Sequence, residues 1–90
     1  MYYTYVLFCK NKASNTEKFY TGSTEDLRNR ISEHKSGKVK STKIFDTILL
    51  VYYEACLNKT DARKRELQLK TGFGRGYLKK RLENYSSTRV

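Results

Sequence analysis

Histidine occurs once in this sequence, at His34, cysteine only twice, and nine acids stand against nineteen lysines and arginines. Each scarcity removes a class of chemistry. Structural zinc sites need four Cys or His ligands, often paired as CxxC, whereas Cys9 and Cys56 are isolated, so no zinc centre is expected. A Ser-His-Asp or Cys-His machine would have to use His34, and no nucleophile is marked near it. Long apolar runs are also missing. The longest, Ile48 to Tyr53, is far too short to span a bilayer. The opening MYYTYVLFCK has neither a basic start nor a long apolar stretch ending in small residues, so no signal peptide is expected. Two reduced thiols in a cytoplasmic protein are the corresponding expectation.

What is present points to a polyanion. Ninety residues make one domain with a modest core, and 38% apolar with 31% charged residues read as globular rather than disordered. The net charge of +10 suits phosphate neutralisation, in which lysine and arginine release condensed counterions. An anionic membrane would more naturally recruit one basic amphipathic helix or tail, so DNA is favoured and a membrane is not expected.

Periodicity supplies the elements. Met1 to Cys9 alternates as a strand, with Tyr3, Tyr5, Leu7 and Cys9 on one face. A polar loop, Lys10 to Lys18, leads to a second strand over about Phe19 to Ser23, ended by Gly22. Ser23 with Asp26 three residues later resembles a capping box, opening a helix from Thr24 to Lys35. On it Leu27, Arg30, Ile31 and His34 share one arc, which places a guanidinium and an imidazole beside the apolar stripe. The connector Ser36 to Asp46 is basic and shows no clear period. Lys35, Lys38, Lys40 and Lys43 around it are candidate nucleic-acid-binding residues. Thr47 to Cys56 reads as a central strand covered on both faces. Asn58 or Thr60 caps a second helix that aligns Ala62, Glu66 and Leu69, turning a carboxylate toward the core. Thr71 and Gly72 stop it, and a third helix runs from about Gly76 to Asn84 with Leu78, Leu82 and Tyr85 as its buried stripe. The fold class is therefore α+β: a small three-stranded, mainly antiparallel sheet with three flanking helices, ordered strand, strand, helix, strand, helix, helix. One domain is expected over residues 1–85, with residues 86–90 a frayed tail.

The residues that remain for chemistry are Tyr5, Tyr20, Arg30, His34 and Glu66. YTYVL at Tyr3 to Leu7, YTG at Tyr20 to Gly22, Arg30 and His34 on the first helix, and the glutamate of ARKRELQLK resemble the GIY-YIG nuclease domain. That domain also forms the N-terminal nuclease of the excinuclease C protein, and this compact chain resembles the small stand-alone bacterial members. Tyr3 and Thr4 replace the Gly and Ile of the first motif, and Thr21 the Ile of the second. The resemblance implies catalytic roles for Tyr5, Tyr20, Arg30, His34 and Glu66, with Glu66 the metal-binding glutamate. Asn84 is the candidate for a polar residue found late in some family domains.

The chemistry is coherent on its own terms. Phosphodiester hydrolysis needs a cation against developing charge, a base for water and support for the leaving oxygen. Glu66 suits Mg²⁺ or Mn²⁺, which keep several waters when bound by one or two carboxylates. Arg30 offers a fixed fork to the scissile phosphate. Either Tyr5 or Tyr20 can serve as base if a nearby cation lowers its pKa. No small organic cofactor is implied. The expected activity is metal-dependent endonuclease cleavage of DNA, branched or damaged forms included, in repair, recombination or processing. The alternative is a catalytically inactive nucleic-acid-binding module of the same fold. Each residue also has a plainer role: strand tyrosines pack, Arg30 covers an apolar edge with its stem, and Glu66 pairs with Lys70 one turn on.

Overall fold

Alternation in the first residues decides the architecture. In a computed structural model that describes residues 1–88, and side chains to residue 85, Tyr2–Asn11 forms strand β1. Thr16–Thr24 forms β2 and Thr47–Cys56 forms β3, each antiparallel to β1, in the order β2-β1-β3. The helices are α1 (Leu27–Lys35), α2 (Lys59–Leu69), α3 (Gly72–Arg81) and the short α4 (Glu83–Thr88). Both faces of β1 are covered. Tyr5, Leu7 and Cys9 pack with Phe45, Ile48, Tyr20, Leu27 and Ile31 on one side. Val6 packs with Leu69, Leu78, Val51 and Tyr52 on the other, where each fully buried aliphatic side chain contributes roughly 1.5–3 kcal/mol.

The α+β class and the element order match the sequence reading, while the place of the apolar strand does not. β3 is an edge strand, with Leu49 46% and Tyr53 54% exposed, and β1 is the central one. The cause is a bulge. Val6 faces Tyr52 but Leu7 faces Leu50, so Val51 is an extra residue that resets which face follows. A reset phase gives an unbroken apolar run without two-sided burial.

Three boundaries also move. The hairpin ladder continues through polar residues to Asn11↔Thr16, because backbone pairing does not require apolar side chains; Asn15 closes the turn at φ 56, a left-handed conformation that asparagine tolerates. α1 starts at Leu27 rather than Thr24, since Asp26 is itself the cap, its carboxylate accepting from Asn29 N at 3.0 Å. The third helix starts at Gly72, capped by Thr71, and ends at Arg81 before α4. Its early start brings α3 against α2 so closely that a Cβ on Gly74 would meet the Leu69 backbone. Of the expected tail, residues 86–88 continue α4, and Arg89 and Val90 lie outside the described residues.

Polar contacts complete the frame. Asn58 caps α2, its side chain accepting from Asp61 N. Arg65 on α2 grips Glu54 of β3, Nε to Oε1 at 2.9 Å and Nη2 to Oε2 at 2.9 Å, and lies over the Tyr77 ring of α3. Cys9 and Cys56 are free thiols, opposite Ile48 and Tyr2 at the two ends of the β1–β3 ladder.

Candidate active site

Tyr5 and Gly22 are partners across the β1–β2 ladder. A Cβ on Gly22 would lie 2.6 Å from Tyr5 Oη, so the glycine of YTG is what lets the Tyr5 ring lie flat across β2. Tyr20 is two residues earlier on the same strand and points to the same side, its ring centroid 6.3 Å from that of Tyr5. Tyr5 is 1% exposed, whereas Tyr20 is half-buried at the rim.

Helix α1 closes over these phenols. Leu27 and Ile31 dock it on the core, and the same arc delivers Arg30 and His34. The His34 ring is completely buried, 5.0 Å from the Tyr20 ring and 5.7 Å from the Tyr5 ring. Its Nε2 is hydrogen-bonded to Tyr5 Oη at 2.8 Å and its Nδ1 to Thr42 Oγ1 at 2.7 Å. Burial pushes the Tyr5 hydroxyl up to about 12, against the opposing pull of the Arg30 guanidinium. Burial, and then the Arg30 charge, push the imidazole down, so His34 is held neutral. Arg30 itself is half-buried, with Nη1 donating to Glu33 Oε1 at 3.1 Å.

Glu66 comes from the opposite side. Ala62, Glu66 and Leu69 form the buried stripe of α2, and Thr4 Oγ1 donates to Ala62 O at 2.8 Å, fixing that helix on the sheet. The carboxylate is 4% exposed. Oε1 accepts from Ser23 Oγ at 2.7 Å, and Oε2 meets Arg63 Nη1 at 2.7 Å and Lys70 Nζ at 2.6 Å. Burial pushes its pKa up, but the Lys70, Arg63 and Ser23 hydrogen bonds outweigh this and hold it below the usual glutamate value.

A divalent ion fits this site in a limited way. Among the described residues no three His, Cys, Asp or Glu side chains gather to hold a metal. Glu66 is ionised, and its Oε1 is engaged only by a neutral hydroxyl, so it can serve as a single protein ligand. Such an ion would take its remaining ligands from water and substrate phosphate, as Mg²⁺ commonly does.

The structure brings Tyr5, Tyr20, Arg30 and His34 together and sets Glu66 across from them. Lys35, Lys38, Lys40 and Lys43 are all exposed on and after α1, and Asn84 is exposed on α4, lining a groove with Gly72, Tyr77 and Lys80. Sequence reasoning missed Ser23, Arg63 and Thr42. Its spacing gives Ser23 to a cap that Asp26 in fact supplies, and only the fold turns the Ser23 hydroxyl to Glu66. Thr42 has a readable signal: Val39, Thr42 and Phe45, spaced by three, are the buried residues of the connector, tied by Thr42 N to Val39 O and Phe45 N to Thr42 O.

Comparison with known proteins identifies a family. Residues 1–86 match the family model described as GIY-YIG catalytic domain. The UPF0213 protein of Staphylococcus haemolyticus is 37% identical over 71 residues, covering 78% of this chain and 80% of the relative. The UPF0213 protein of Staphylococcus saprophyticus is 38% identical over the same shares, and that of Clostridium perfringens 39% identical over 78% of this chain and 71% of its own. No solved structure matches the chain. With the family model spanning residues 1–86, the chain belongs to the GIY-YIG family, whose catalytic domain is of the nuclease type that hydrolyses phosphodiesters.

Proposed function

We propose that this chain is a divalent-metal-dependent DNA endonuclease acting in repair, recombination or processing, with Tyr5, Tyr20, Arg30, His34 and Glu66 as its site. The observation that carries the reading is the convergence of two phenols, a guanidinium and an imidazole from β1, β2 and α1 opposite the one buried carboxylate of α2. Nucleases of the family generally use divalent metals, and Glu66 is the residue that would hold Mg²⁺ or Mn²⁺ here. The ion would neutralise charge developing on the phosphate. Arg30 presents its fork to a scissile phosphate oxygen, where a charge-assisted bond strengthens as the transition state forms. Burial pushes the Tyr5 hydroxyl up to about 12, away from the working range of a base, so Tyr20, half-buried at the rim, is the candidate base. The exposed lysines of the connector hold the flanking backbone and position the strand.

One observation favours the alternative, a binding module without catalysis. Lys70 and Arg63 already neutralise Glu66, and an incoming ion has to compete with both. Nicking of plasmid, branched and single-stranded DNA with and without Mn²⁺ or Mg²⁺ decides between them. The nuclease reading expects cleavage only with the ion, and none from Glu66→Ala at near-unchanged DNA affinity. DNA binding with no cleavage under any divalent condition would establish the binding module instead.

A further inference from the structure

Lys70 belongs to two places at once. Its Nζ holds Glu66 Oε2 at 2.6 Å, and its side chain, 46% exposed, also walls a groove of about 720 Å³ between β2 and α3. Lys18, Arg75 and Lys79 line the same groove, the buried Leu69 and Leu78 lie at its floor, and no Asp or Glu is among its lining residues. Four cations without an acid fit a polyanion, and phosphate contacts of this kind position a nucleic-acid backbone. Tyr20 lines the groove as well, so a strand lying there passes the candidate base and the lysine of the candidate metal ligand together. Arg63 differs in one respect. Its Nη1 meets the same Glu66 Oε2 at 2.7 Å, but Arg63 is not on the groove wall.

We propose that the groove between β2 and α3 docks the nucleic-acid backbone and that Lys70 exchanges partners there: it pairs with Glu66 while the groove is empty and with a strand phosphate in the complex, which opens Glu66 Oε2 to a divalent ion. The part concerning the ion rests on the nuclease reading above; the docking groove does not. Lysine suits an exchange, being a compact charge on a flexible stem with three rotatable donors, and this one turns between its partners without crossing the core. The carboxylate is not orphaned when Lys70 leaves, because Arg63 stays on Oε2 and Ser23 Oγ on Oε1. Ion and strand therefore bind with positive coupling, each tightening the other by the same factor. Arg63 repels the ion equally in both states.

Two substitutions in the full chain, Lys70→Met and Arg63→Met, separate exchange from plain loss of charge. Both side chains are well exposed, so the fold should persist. With no divalent ion present, fluorescence titration of a short labelled DNA duplex over a salt series should give Lys70→Met a log–log slope flatter by about 0.9, one phosphate contact, and Arg63→Met the parent slope. An unchanged slope for Lys70→Met overturns the docking. Mn²⁺ affinity is then read from the electron paramagnetic resonance of the free ion, with Glu66→Gln as the blank. It should tighten about tenfold in free Lys70→Met, the scale of one partly screened charge, and by less than about twofold in that variant's complex with a phosphorothioate duplex that resists cleavage. Arg63→Met should tighten it by a similar factor in both states. An equal gain for Lys70→Met in both states, or no gain in the free form, overturns the exchange. A parent that holds no Mn²⁺ at Glu66 in either state overturns the coupling together with the metal reading, and the salt slope then decides the groove. A parent that couples Mn²⁺ to DNA yet never nicks it defeats the nuclease reading and upholds the exchange.

Discussion

Tyr5→Phe and Tyr20→Phe remove the same atom from neighbouring rings, and the structure requires them to behave differently. At position 5 the hydroxyl is buried and is the partner of His34 Nε2 at 2.8 Å. Phenylalanine would leave that nitrogen facing a ring edge with no water to replace the oxygen. Leaving one buried polar group unpaired costs about 1–3 kcal/mol. In a domain of this size about 1 kcal/mol lowers Tm by roughly 4–8 °C, so even the low end of the range is measurable. At position 20 the ring is half-buried at the rim, and losing its hydroxyl should change stability by less than about 0.5 kcal/mol. Urea unfolding of both variants, followed by circular dichroism, separates these outcomes, and single-turnover nicking on the same samples gives the rates. Tyr20→Phe should lose about 10² to 10⁴ in rate with its stability intact, as expected of a lost general base. Equal urea midpoints for parent and Tyr5→Phe would refute the buried Tyr5–His34 hydrogen bond. A Tyr20→Phe that cleaves normally would remove Tyr20 from the chemistry.

Arg30→Lys keeps the charge and loses the fork, so single-turnover nicking should fall by about 10² while the fold persists. Replacing Lys38, Lys40 and Lys43 with glutamine should flatten the salt dependence of DNA affinity, by about 0.9 in log–log slope for each phosphate no longer neutralised; fluorescence titration over a salt series reads it, and an unchanged slope places the DNA elsewhere. Glu66 has a folded pKa below its ordinary value, so its ionised form stabilises the native state above about pH 4.3, and that contribution fades as pH falls through the lower folded value. The gap in urea midpoint between parent and Glu66→Gln should therefore shrink from about pH 6 toward about pH 3, and a constant gap would contradict the depressed pKa.

Much of this protein is legible in its sequence because the signals are local. Strand alternation over Tyr2 to Cys9, the arc of Leu27, Arg30, Ile31 and His34, and the spacing of Ala62, Glu66 and Leu69 each state which residues face inward, and the structure buries or half-buries all of these helix positions. Periodicity is a property of a single segment, so it survives without knowledge of neighbours. The basic surface is equally a matter of composition, since exposed lysines need no partner to be exposed.

Only the tertiary structure decided what depends on two segments meeting. An apolar run and an alternating one both suit a sheet centre, and which is central follows from pairing, here shifted by the Val51 bulge. Ser23 faces Glu66 across 43 positions of chain, and Thr42 meets His34 from a connector whose composition reads as a basic loop without a period. The tight fit of Tyr5 on Gly22 is set by strand register, which one sequence does not state. The sequence thus determined which side chains are available and which way each element turns them. Register and packing determined which of them share protons, and with that the difference between Tyr5 and Tyr20.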